Sequence, residues 1–171
     1  MKKLLLLTGI LALSAVAFGG DQQTDGYAYE NVLVKATVIE PLKLEKTSDV
    51  DFGYMAKGTT KDAPEKNGAL TVSGAPEANV KIEFASDNNF ATKLNITGAE
   101  VKLTEKTTKA EGVKTVIKLD GATSNDETFA LTGGSKNFTL SGTADATNAA
   151  SGSYEGTLYV RATYAGTPNV Q

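Results

Sequence analysis

From Val32 to Tyr164 the chain repeats one pattern, a short run of alternating apolar and polar residues closed by Gly, Asn, Asp or Pro. Alternation with a period of two puts one kind of side chain on each face of a strand and leaves no stripe for a helix to bury. No stretch keeps apolar residues at helical spacing free of Gly, Pro and β-branched runs. The pattern predicts an all-β protein folded as a single immunoglobulin-like antiparallel β-sandwich.

Val32, Val34, Ala36 and Val38 share one face of an extended segment, with Lys35 and Thr37 on the other, until Pro41 interrupts it. Leu42 and Leu44 then resume the alternation. Further strands are expected at residues 51–55, 69–73, 80–85, 93–97, 101–104, 113–119, 128–131, 138–141 and 156–164. In the last, Leu158, Val160 and Ala162 alternate with Tyr159, Arg161 and Thr163. Residues 144–150 have room for one helical turn, and Gly133-Gly134-Ser135-Lys136 reads as a hairpin turn rather than a phosphate loop, whose glycine spacing it lacks. No repeat or linker divides the chain, so one domain over residues 32–165 is expected, between a leader at 20–31 and a tail at 166–171.

Residues 1–19 read as a signal peptide. Lys2 and Lys3 precede an apolar run that ends at Phe18, too short to span a bilayer comfortably, and Ala15-Val16-Ala17 offers a cleavage site. The expectation is export to the periplasm and then the cell surface or medium. No cysteine follows the apolar run, so there is no lipid anchor on a cysteine. After cleavage the chain carries 15 basic and 20 acidic residues, a net charge of −5, which disfavours nucleic acid as a partner. With zero Cys, an exported domain must be held by packing and sheet hydrogen bonds alone.

The absence of His, Cys and Trp removes the commonest general base, the thiol nucleophile and the usual zinc or copper ligands. No cofactor and no enzymatic activity are expected. Asp49 and Asp51 would project from one face of a strand as a carboxylate pair, but acids at a strand start are more often solvated turn residues. Ser124, Asn125, Asp126 and Glu127 cluster oxygen atoms without the spacing of a calcium loop, and read as a polar turn. Tyr27 and Tyr29 lie two apart in the N-terminal segment, on one side of any strand it forms. That strand is either the protein's own edge or one that enters another subunit.

Two stretches carry a resemblance: Ala36-Thr37-Val38-Ile39-Glu40-Pro41-Leu42-Lys43-Leu44 followed by Val50-Asp51-Phe52-Gly53, and Ser151-Gly152-Ser153-Tyr154-Glu155-Gly156-Thr157-Leu158-Tyr159-Val160. Together they resemble an uncharacterised family of secreted bacterial domains in the fimbrial adhesin and pilin superfamily. Phe138-Thr139-Leu140-Ser141-Gly142-Thr143 resembles a third motif of that family, with Ser141 where its first glycine is usual. The opening strand is also similar to the start of disulfide-free pilins of the colonisation-factor class, in which the N-terminal strand fills a groove in the neighbouring subunit. The resemblance implies a structural or adhesive subunit that self-associates by strand donation, with a periplasmic chaperone and an outer-membrane assembly protein as partners. On this reading Tyr27, Tyr29, Val32, Val34, Ala36 and Val38 are the donor-strand contacts and Pro41 is the break before the subunit's own first strand. If residues 32–39 instead belong to the subunit's own sheet, only residues 18–31 remain to donate, and they are poor in apolar side chains. The alternative is a monomeric secreted adhesion or ligand-binding module whose loops carry the binding.

Overall fold

The computed structural model describes residues 29–36 and 38–166. The residues expected to form a signal peptide, Tyr27 and most of the expected C-terminal tail lie outside the described residues. The chain divides into two units, Met1–Ala36 and Thr37–Gln171. In the first, residues 29–36 are exposed and belong to no strand.

The second unit is an all-β, immunoglobulin-like sandwich of antiparallel sheets, with no α-helix among its described residues. Its strands are β1 (Lys43–Ser48), β2 (Thr60–Lys61), β3 (Gly68–Ser73), β4 (Asn79–Ala85), β5 (Lys93–Leu94), β6 (Ala99–Glu105), β7 (Glu111–Leu119), β8 (Thr128–Ala130), β9 (Ser135–Asp145), β10 (Tyr154–Glu155) and β11 (Tyr159–Tyr164). The larger sheet runs β1-β3-β9-β7-β6-β10, with β2 alongside the end of β9. The smaller runs β11-β4-β5, with β8 on the start of β4. The strands expected at 69–73, 80–85, 101–104, 113–119 and 128–131 are present with ends displaced by a residue or two.

Alternation decides what is buried. Val113, Thr115, Ile117 and Leu119 of β7 point inward while Lys114, Val116 and Lys118 face water. Val80, Ile82 and Phe84 of β4 meet Leu70, Val72, Phe138 and Leu140 across the sandwich. Burying each large side chain contributes ~1.5–3 kcal/mol, so this core replaces the cross-links the chain lacks. Gly142 lies where β9 approaches β7 so closely that a Cβ would overlap the carbonyl oxygen of Val116.

Several sequence expectations are corrected. Residues 51–55 form a loop, not a strand: Asp51 makes a single bridge to Lys66, and its carboxylate then accepts the Gly53 amide at 2.8 Å, closing a turn. The strand expected at 93–97 stops at Leu94, because the Ile96 amide is taken by the Asn125 side chain at 3.0 Å. The one expected at 138–141 extends over Ser135–Asp145. The last strand begins only at Tyr159, since Gly156 sits against β6, where a Cβ would come within 2.8 Å of the Lys102 carbonyl.

Residues 144–150 hold no helical turn. β9 continues to Asp145, and Ala146 to Ala149 then close a turn with an N–H to O=C bond of 3.1 Å. Gly133-Gly134 is not a hairpin turn, because β8 and β9 belong to different sheets. Both glycines have positive φ, of 65° and 84°, and this left-handed pair carries the chain from one sheet to the other.

Candidate functional site

The site is built around the β11 edge of the smaller sheet. β11 pairs with β4 over its whole length, from Tyr159 opposite Ala85 to Tyr164 opposite Val80. Among the described residues no strand pairs with its other edge. Every residue of β11 is half-buried, whereas β4 beside it buries Val80, Ile82 and Phe84 completely. An edge strand covered on one side only produces this contrast.

Along that open edge the two sheets separate into a cleft of about 710 Å³. Its floor is the inner face of the larger sheet, from Leu70 and Leu140 through Ile117 and Val101 to Val113 and Leu103. One wall is Leu158 and Val160, leading into and along β11; the other is the end of β1 and the loop that follows, with Val50, Phe52 and Met55. Ala144, Ala146 and Ala149 line the far end beside Tyr154.

At the opposite end the cleft closes, where Leu42, Leu44, Ala162 and Tyr164 pack onto the core. Thr115 is the buried polar residue of the floor, and its hydroxyl donates to the Val101 carbonyl at 2.8 Å. With that hydroxyl satisfied, the floor presents an essentially apolar surface. Charges stay on the rim, where Lys46 pairs with Asp49 at 2.6 Å.

The groups with shifted titrations are not among the residues that line the cleft; they lie on the outer face of the smaller sheet and in turns. Hydrogen bonds from Lys93, and then from Arg161, hold the Glu83 carboxylate below the usual range. Arg161 donates to Glu83 through two nitrogens at 2.9 and 2.6 Å and lies 4.3 Å from the centre of the Phe90 ring. Backbone amides of Ala91 and Thr92 depress Asp87, which organises its own loop.

The acidic candidates are engaged locally. Asp49 meets Lys46 and Asp51 closes its turn. In the 124–127 loop, Asp126 pairs with Lys81 at 2.5 Å and Glu127 accepts from the Thr123 amide at 2.6 Å. Asn125 bridges to Asn95 and Ile96. These contacts are those of structural turns.

Of the proposed donor-strand residues, Tyr27 lies outside the described residues, and Tyr29, Val32, Val34, Ala36 and Val38 are exposed in no strand. Val32, Val34 and Val38 are 82, 86 and 87% exposed, a concentration of apolar surface unusual on one short segment. The cleft itself was not read from the sequence. Its residues come from β1, β3, β6, β7, β9, β10 and β11 and from the loops beside them, and nothing in any one of these segments marks it as part of a cleft. One signal was present: the motifs around Val50-Asp51-Phe52-Gly53 and Ser151–Val160 contribute both of its rims.

No protein-family model and no curated protein matches this chain.

Proposed function

We propose that this chain is an exported, pilin-like structural or adhesive subunit, in which residues 32–39 of one copy complete the sandwich of the next. The observation that carries the reading is the apolar cleft running beside the edge of β11 with which no described strand pairs. A sheet edge with an empty apolar slot accepts an extended strand through main-chain hydrogen bonds, with alternate side chains plugging the slot. Val32, Val34, Ala36 and Val38 are a matching set, three β-branched valines and one small alanine at every second position. Their exposure makes burial in a partner favourable, by roughly 25 cal/mol per Å² removed from water.

On this reading residues 1–19 direct the chain to the periplasm, and the empty cleft is a hazard until it is filled. A periplasmic chaperone would cover it, and an outer-membrane assembly protein would exchange that cover for the arm of another copy. The fibre or its tip then acts at the cell surface.

The test compares the chain from Gly20 with one starting at Pro41, which keeps every strand from β1 to β11. Mass in solution and an unboiled denaturing gel are read for both. Heat-resistant multimers from the longer chain alone are expected. A folded monomer from the longer chain would count against strand donation and favour a self-contained adhesion or ligand-binding module.

A further inference from the structure

We propose that the hydroxyl of Tyr164 clamps the root of the N-terminal arm, fixing where the arm leaves the sandwich. Through that, it sets the stiffness of the joint between a donating copy and the copy that receives its strand; this second half rests on the strand-donation reading. Tyr164 is the last residue of β11. Its oxygen accepts the Ala75 amide at 2.8 Å, and its proton is donated to the Glu40 carbonyl at 2.9 Å. One hydroxyl therefore joins the final strand, the turn between β3 and β4, and the residue before Pro41.

The space for this hydroxyl is built in. Gly74 is buried, its amide donates to the Gly134 carbonyl at 2.9 Å, and a Cβ there would overlap the Tyr164 hydroxyl and press on Leu42 at 2.9 Å. A phenylalanine would fill the same apolar volume, so the phenolic oxygen adds specifically a grip on two backbone groups. Pro41 has no N–H with which to tie the root into a ladder, so the hydrogen bond to Glu40 supplies an anchor there.

The anchor lies close to the donated segment. Val38, the last of the alternating plugs, is two residues from Glu40, so a held root leaves little slack between the donor's body and the strand it gives away. Tyr164 also shares β11 with Val160, a wall of the cleft. The held root and the accepting wall thus belong to one strand, laddered to β4.

The test uses the full mature chain as wild type, Tyr164→Phe and Gly74→Ala, with hydrogen exchange at the Leu42 and Lys43 amides read against the β7 amides. Both variants are expected to speed exchange at 42–43 by about five- to tenfold over any change in β7, the effect expected at the arm's root from losing the hydrogen bond to Glu40. Multimers of Tyr164→Phe should keep wild-type heat resistance, because the plugs and the cleft lining are untouched, but bend more in electron micrographs. Unchanged exchange at 42–43 in Tyr164→Phe, or a rise shared equally by β7, overturns the clamp. Loosened 42–43 with fibres as straight as wild type overturns its role in the joint. If the wild type forms no multimers, strand donation fails, while exchange at 42–43 still decides the clamp.

Discussion

At the scale of single residues, the outer face of the smaller sheet shows how this cysteine-free domain uses charge. The Glu83 side chain is only 12% exposed, yet it is ionised between Lys93 and Arg161, which together satisfy both of its oxygens. Its folded pKa lies below the ordinary value, so the stability it contributes is fully present above about pH 4.3 and is lost as pH falls through the folded value. Asp87, Glu105, Glu127 and Asp145, depressed mainly by hydrogen bonds within their own turns, act in the same direction. Urea unfolding between pH 7 and pH 2 should show stability falling on acidification. Glu83→Gln should cost on the order of 1–2 kcal/mol at pH 7 and progressively less at low pH. An equal cost at both ends would mean that the carboxylate charge contributes nothing.

At the scale of elements, two segments matter most: β11, which among the described residues lacks a neighbour on one edge, and the segment from Val32 to Ile39, which has the sequence pattern of a strand and whose described residues, 32–36 and 38–39, lie in none. If the second fills the place beside the first in another copy, a charge on its inward face is intolerable and a charge on its outward face is harmless. Val34→Asp would carry an unpaired carboxylate into an apolar cleft, at a cost of several kcal/mol, or hold the segment out of it. Lys35→Asp changes charge by more but points the other way. Sedimentation velocity should show association abolished by Val34→Asp and largely retained by Lys35→Asp. Equal loss in both would mean that the segment does not insert with Val34 facing inward.

For the whole molecule, the strand-donation reading requires that the open cleft be filled by an arm from another copy. A ligand that binds the folded state alone raises stability in proportion to the logarithm of its concentration. A peptide of residues 29–40 added to the chain that starts at Pro41 should therefore raise its melting temperature in a dose-dependent way. The same peptide carrying Val34→Asp should not. A melting temperature indifferent to the wild-type peptide would indicate that the cleft accepts something else.

The alternation of residues such as Val113, Thr115, Ile117 and Leu119 was enough to predict an all-β sandwich and most of its strands, because period-two burial is a local property of a strand between two sheets. Two-residue strands such as Thr60–Lys61 and Tyr154–Glu155 are too short to carry a period. The loop at 51–55 has strand-like side chains, but its course is set by hydrogen bonds at Asp51. What tertiary structure alone decided is which edge no described strand covers. Pattern shows which face of a segment seeks burial and says nothing of what will cover it. That Leu158 and Val160 wall a cleft, and that Tyr164 reaches Glu40 across 124 residues, follows from strand pairings between positions far apart in the chain.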